Sequence, residues 1–169
     1  MQTKPIAHIP SPRTGLWIAV AVSCAVLLGA YGFEYIGGLR PCTLCYYQRL
    51  PYALAIILGF AALLRPALNR PGLAALTLTF VVSAGLGAYH AGVEQKWWPG
   101  PQGCSAGGNK AQSVDALLAQ LLETPVVMCD EIPWSLFGLS LAGYNMLISA
   151  ALAVFTAAIW YSTQQGRQQ

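Results

Sequence analysis

Cysteine carries the chemistry this sequence could do. Cys42-Thr43-Leu44-Cys45 is a C-x-x-C placed where a short loop leads into an apolar helix. The free amides and the dipole of a helix N-terminus favour a thiolate, and Arg49 stands one turn beyond Cys45 on the same face. A low-pKa thiol in that position is a redox centre in need of a partner. Cys104 and Cys129 lie in sequence punctuated by Pro99-Gly100-Pro101 and Gly107-Gly108-Asn109, which read as turns. A disulfide joining them would close a loop of about 25 residues, worth ~3 kcal/mol in loop entropy. Such a bond is expected to be exposed, and exposed, mobile disulfides are the ones another protein's thiolate can attack. Cys24, inside an apolar run, reads as an inert packed thiol.

Other chemistries are weighed against this one. As half of a zinc site the C-x-x-C would need two more ligands; His90 and Glu94 are the candidates, but no spacing resembles a known zinc pattern, so no metal is expected. Two structural disulfides in a tetraspan scaffold are the rival class, although a two-residue spacing at a helix start makes a poor staple. Glu34 is expected to reach the membrane interface or to pair with Arg40 or Arg49. His90, one turn before Glu94, either sits at the interface or hydrogen-bonds a ligand carbonyl.

The elements that must position these residues are membrane helices. The 169 residues are 56% hydrophobic and only 9% charged, with mean hydropathy +0.52. That is too little charge for a water-facing surface, and a net charge of +3 without a basic run excludes a nucleic-acid binder recruited by charge. Residues 15–36, 46–64, 72–89 and 136–159 are each long and apolar enough to span a ~30 Å hydrocarbon layer. They lack period-2 alternation, so an all-α bundle of four transmembrane helices is predicted over one domain, 1–169. Trp17, Trp160 and Tyr161 mark one boundary and Trp97, Trp98 and Trp134 the other. Ser83-Ala84-Gly85-Leu86-Gly87-Ala88 would let helix backbones approach closely. Ala21-Val22-Ser23-Cys24 loosely imitates a lipoprotein cleavage site, but the apolar run continues to Phe33 as a spanning helix would.

In the long loop 90–135, Ser113 reads as an N-cap. Val114, Leu117, Leu118, Leu121 and Leu122 then form one apolar stripe, a short amphipathic helix lying on the bilayer or on the end of the bundle. Lys4, Arg13, Arg65, Arg70 and Arg167 fall on one side of the membrane. Arg40, Arg49, Lys96, Lys110 and all six acidic residues fall on the other. Both termini are therefore expected to be cytoplasmic and the four paired cysteines periplasmic.

Pro41-Cys42-Thr43-Leu44-Cys45-Tyr46-Tyr47-Gln48-Arg49 resembles the P-C-x-L-C-x-x-x-R signature of the bacterial disulfide bond formation protein B (DsbB) family. Further matches are Gly87-Ala88-Tyr89-His90-Ala91-Gly92-Val93-Glu94 with Trp97 and Trp98, Gly100-Pro101 before Cys104, Cys129-Asp130 before Pro133-Trp134, and 138–145. The resemblance implies an inner-membrane quinone reductase that reoxidises the periplasmic dithiol oxidase DsbA. It implies that the partner attacks Cys104, that the released Cys129 attacks Cys42, and that Cys45 becomes the thiolate facing the quinone. Arg49 would stabilise that thiolate and the reduced quinone; His90 is the further candidate for cofactor binding. DsbA is a strong oxidant, at about −120 mV, so its own oxidant must draw on a more oxidising acceptor. A membrane quinone meets that need, with ubiquinone expected ahead of menaquinone. The rival reading here is related chemistry in reverse, as in vitamin K epoxide reductase-like proteins.

The orientation is testable by fusion. Alkaline phosphatase joined after Leu68 is expected to be inactive, and joined after Ala111 to be active; the reverse pattern would overturn the periplasmic placement of the cysteines.

Overall fold

The computed structural model describes residues 10–101, 104, 114–115 and 127–165. Helix α1, Pro12–Tyr31, starts at Ser11, whose Oγ accepts from the Thr14 amide at 3.2 Å while Pro12 supplies a preset φ. It runs unbroken through Cys24 and ends in one wide turn, Gly32–Ile36, which carries Glu34. Helix α2 is Thr43–Leu64, capped by Cys42. A short turn, Pro66–Leu68, leads into α3, Asn69–Glu94. Helix α4 is Leu141–Gln165.

All four helices are long and apolar enough to cross a membrane, and the chain is a helical membrane protein. Consecutive helices run antiparallel, so the end of α1, the start of α2, the end of α3 and the start of α4 meet at one end of the bundle. The opposite end is marked by Arg70 bonding Gln164. Helix α3 packs most extensively on α4, α2 packs on α3 and α1, and α1 also touches α4. Leu16, Ala19, Tyr52, Leu73, Leu76, Phe80, Leu152 and Ile159 form the main core. Leu28, Leu50, Leu64, Leu78 and Val154 point outward, as lipid-facing positions do.

Lipid offers no hydrophobic drive between helices, so close packing and polar links must hold them. The Tyr52 hydroxyl meets Ser149 Oγ at 2.7 Å, Ser149 donates to Ser83 Oγ at 2.8 Å, and Thr77 meets Thr156 at 2.9 Å. Gly87 brings α3 against α4. A Cβ there would lie 2.7 Å from the Met146 nitrogen and 2.9 Å from its Cα.

The first three helices each start three residues earlier than expected and the fourth ends at Gln165; two further differences bear on the site. The third helix continues past residue 89 to Glu94, which puts His90 and Glu94 on α3 itself. The fourth begins at Leu141, not 136, because a small hairpin intervenes. Ser135–Leu136 pairs antiparallel with Leu139–Ser140 around Phe137 (φ 50°) and Gly138 (φ 78°). Two consecutive left-handed residues make the tight turn that suits a two-residue hairpin, and Ser140 Oγ then accepts from the Gly143 amide at 3.1 Å as α4 starts. The amphipathic helix expected after Ser113 lies outside the described residues apart from Val114 and Asp115, which are helical and exposed.

The glycines of α3 give a paired test. Gly87→Ala must push α4 away and should cost about 1–3 kcal/mol. Gly85→Ala meets nothing within 4 Å and should be neutral or slightly stabilising. Thermal unfolding of the two variants in detergent reads the difference.

Candidate functional site

The site is assembled where α2 begins. Cys42 adopts an extended conformation at the N-cap (φ −77°, ψ 172°), and its Sγ accepts from the Cys45 amide at 3.2 Å. This places the sulfurs of Cys42 and Cys45 2.8 Å apart. Cys42 is buried, and its Sγ lies 3.5 Å from Nε2 of His90, which reaches across from α3. The Cys42 thiol is lowered to about 5. The hydrogen bond from Cys45 is the chief cause; His90 and the Cys45 amide add to it, against the opposing cost of burial. The favoured thiolate is thus the capping cysteine, Cys42, and not the one nearer Arg49, because the helix amide and the imidazole both face Cys42.

The same three donors, Cys42 Sγ, Cys45 Sγ and His90 Nε2, lie within 4.8 Å of one another. A tetrahedral zinc with Zn–S bonds of 2.3 Å would hold its two sulfurs roughly 3.8 Å apart. The 2.8 Å contact suits closure of a sulfur–sulfur bond instead.

Cys104 and Cys129 are joined in a disulfide, and the Cys129 amide donates to the Cys104 carbonyl at 2.5 Å. The expectation that this bond is exposed is not met: Cys104 is 2% and Cys129 0% exposed. The loop has a small core of its own. Leu44 and Val93 pack with Cys42, Cys104 and Cys129 into one cluster, joined by Cys45 and Val127. All four predicted redox cysteines are therefore brought together, with the disulfide laid against the dithiol. Cys24, half-buried in α1, packs against the main core as an apolar residue.

On its other side, Cys45 borders a cavity of about 340 Å³ between α1, α2 and α4. Val26, Leu27, Phe33, Trp134, Leu141 and Ile148 give it an apolar lining, and Arg49 supplies a cation at the wall. Arg49 is held by Glu34 at 2.5 Å and lies over the rings of Tyr31 and Tyr46, 4.9 and 5.1 Å from their centroids. Of the two partners expected for Glu34, it takes Arg49. The cavity suits a flat, largely apolar molecule whose polar edge faces Arg49 and Cys45. His90 does not border this cavity; its ring is buried against Cys42.

The family's sequence profile, described as disulfide bond formation protein DsbB, matches residues 12–159. The chain belongs to the disulfide bond formation protein B family. A disulfide bond formation protein B of Verminephrobacter eiseniae is 31% identical over 174 residues, covering 94% of this chain and 92% of that protein. One from Methylococcus capsulatus is 28% identical over 165 residues, covering 93% and 99%. An uncharacterized protein of Rickettsia prowazekii is 29% identical over 146 residues, covering 85% of each. No solved structure matches the chain. A disulfide-forming oxidoreductase embedded in a membrane is what the family and the four apolar helices support.

Within the DsbB signature, several residues take roles that the spacing does not announce. Gly92 lies beneath Trp98, whose ring a Cβ would overlap; Trp98 Nε1–H donates to the Tyr89 carbonyl at 2.9 Å and the two rings stack. This fold-back, through Lys96 at φ 60°, sends the chain from α3 towards Cys104. Nothing in the spacing marks Gln48 or Ser140 as functional, yet both bond to the His90–Glu94 turn. For Gln48 the available signal is position: it falls on the buried stripe Leu44–Gln48–Tyr52–Ala55 of α2, where a polar side chain needs a reason.

The low thiol value is directly measurable. In a variant with Cys24, Cys104 and Cys129 replaced by alanine and the remaining pair reduced, thiolate ultraviolet absorbance should persist from neutral pH downward and disappear around pH 5. Replacing Cys45 by alanine removes the chief cause and should move the midpoint up towards the ordinary thiol range. A midpoint already in that range for the intact pair would refute the assignment.

Proposed function

We propose that the chain is an inner-membrane thiol:quinone oxidoreductase that reoxidises a periplasmic DsbA-like, thioredoxin-fold dithiol oxidase. It passes two electrons to a membrane quinone and so sustains disulfide formation in exported proteins. The observation that carries the reading is the position of Cys45. It touches Cys42, which is packed with the Cys104–Cys129 disulfide, and it also borders an apolar cavity between the long apolar helices with a cation in its wall.

The cavity fits such a cofactor: its apolar lining suits a ring and a prenyl tail, and Arg49 is placed to face a carbonyl or the negative charge that develops there. Bound there, the quinone supplies the two-electron, two-proton acceptor. Ubiquinone is the better match than menaquinone, being the more oxidising of the two.

The residues divide the work in sequence. The partner's thiolate attacks Cys104, forming a mixed disulfide and releasing Cys129 as the leaving thiolate. Because Cys104 is buried, docking of the partner must first uncover it. Cys129 then attacks Cys42, displacing Cys45 as a thiolate at the edge of the cavity. Arg49, already oriented by Glu34 and two aromatic rings, holds the negative charge in place. The partner's second thiolate then displaces Cys104 and leaves oxidised, and Cys104 re-forms its bond with Cys129, freeing Cys42. Each exchange breaks one sulfur–sulfur bond and makes another, so the electron pair comes to rest on the Cys42–Cys45 dithiol without a free radical. With both termini on the cytoplasmic side, the cysteine end of the bundle faces the periplasm, where such disulfides persist.

Purified protein, reduced DsbA and quinone should together consume quinone absorbance one for one with the dithiol oxidised. Cys45→Ser is expected to abolish turnover while leaving a Cys104–Cys129 disulfide that one equivalent of reduced partner still opens. Arg49→Gln should raise the KM for quinone on the order of ten- to a hundredfold, the loss of one charge-assisted hydrogen bond of ~1.5–3 kcal/mol. Arg49→Lys should be milder, since lysine keeps the charge and loses the planar fork. An unchanged quinone KM in folded Arg49→Gln would return Arg49 to the role of a membrane anchor.

A further inference from the structure

We propose that His90 is the base that takes the thiol proton of Cys42, held in the one tautomer able to do so by Gln48 and balanced in charge by Glu94. This rests on the oxidoreductase reading above, which does not itself say where the protons of the dithiol go.

The hydrogens in this buried cluster can be assigned one by one. Gln48 donates from its amide nitrogen to the Leu86 carbonyl at 3.4 Å. That fixes the amide so that its oxygen faces His90 Nδ1, also at 3.4 Å. An amide oxygen only accepts, so Nδ1 must carry the ring proton. In the neutral ring the lone pair is then on Nε2, and Nε2 is the atom 3.5 Å from Cys42 Sγ. His90 is 3% exposed and Gln48 8%, so water does not compete for these bonds.

Glu94, one turn further along α3, is 7% exposed. One of its oxygens accepts from Ser140 Oγ–H, and Ser140 in turn accepts from the Gly143 amide at the start of α4. The other oxygen lies 4.0 Å from His90 Nε2. Among the described residues the ionisable groups facing the imidazole are Cys42 and Cys45 from α2 and Glu94 from α3; Arg49 is committed to Glu34. A buried carboxylate is stabilised by a cation, and the imidazolium formed when His90 takes a proton is the one within reach.

The balance is simple. Closing the Cys42–Cys45 bond removes two electrons and two protons from the pair of thiols, and both electrons and both protons end on the quinone. The Cys42 proton passes first to His90 Nε2, leaving the Cys42 thiolate as the electron-rich sulfur that closes the bond. The imidazolium rests beside Glu94 until its proton is passed on to the acceptor. Gln48 and Glu94 are positioning residues: neither touches the sulfur.

Nitrogen NMR of histidine-labelled protein tests this without quinone or partner. The chain has two histidines, and His8→Ala leaves His90 alone. With the Cys42–Cys45 pair oxidised, His90 should be neutral with its proton on Nδ1; reduction of the pair should add a second proton, on Nε2. Gln48→Leu should scramble the tautomer and slow turnover about tenfold, and Gln48→Glu, which keeps an acceptor oxygen, should restore the tautomer; Gln48 also lines the cavity, so the tautomer and not the quinone KM is the readout. Glu94→Gln, isosteric and still able to accept from Ser140, should leave His90 measurably less protonated in the reduced protein. A ring that stays neutral on reduction, or an Nε2–H tautomer in the oxidised protein, overturns the proposal. If the NMR changes appear but no quinone is consumed, the oxidoreductase reading fails and the assignment of the base stands.

Discussion

The start of α2 is the constraint on which the rest depends. A helix leaves its first amides unpaired, and here a cysteine sulfur takes one of them. Because the cap residue is Cys42 and its bond goes to the Cys45 amide, the two sulfurs are forced to face each other. The same geometry gives the pair two different surroundings. Cys42 turns towards α3 and the Cys104–Cys129 disulfide, while Cys45 turns towards the cavity between α1, α2 and α4. A shift of α2 by one residue would end this division.

Two acid–base pairs flank the dithiol, one part-buried and one buried, and they differ in kind. Glu34 and Arg49 form a close ion pair at the cavity wall, at 13% and 16% side-chain exposure for Arg49 and Glu34, further held by two aromatic rings. That arrangement fixes a cation which must not wander into lipid. Glu94 and His90 stand 4.0 Å apart, with the imidazole shared between the carboxylate and the Cys42 sulfur. A pair left that open can gain and lose a proton. In the proposed reaction, electron transfer and proton handling fall on opposite sides of one C-x-x-C.

Much of this was legible in the sequence for physical reasons. Apolar runs set by the thickness of a bilayer gave the four helices, and cysteine spacing together with Arg49 marked one edge of the site. The rest depends on contacts between helices. His90 read as an interfacial residue or a ligand to a carbonyl, because nothing in its neighbourhood along the chain reveals that α3 faces Cys42. The burial of Cys104 and Cys129 follows from Leu44 and Val93, two ordinary apolar residues from different helices. The sequence places the start of α4 five residues early because 136–140 are apolar enough to continue a helix. The left-handed turn at Phe137 and Gly138 is written in φ angles, and only its glycine is visible in the sequence.

The central claim is that the cavity beside Cys45 is where the electrons leave the protein. A photoreactive quinone analogue, cross-linked in the membrane and mapped by mass spectrometry, tests it most directly. Labelling should fall on the α1, α2 and α4 segments that carry Phe33, Arg49 and Ile148, and an excess of unmodified ubiquinone should suppress it. Labelling confined to outward-facing positions such as Leu78 and Val154, insensitive to that excess, would contradict it.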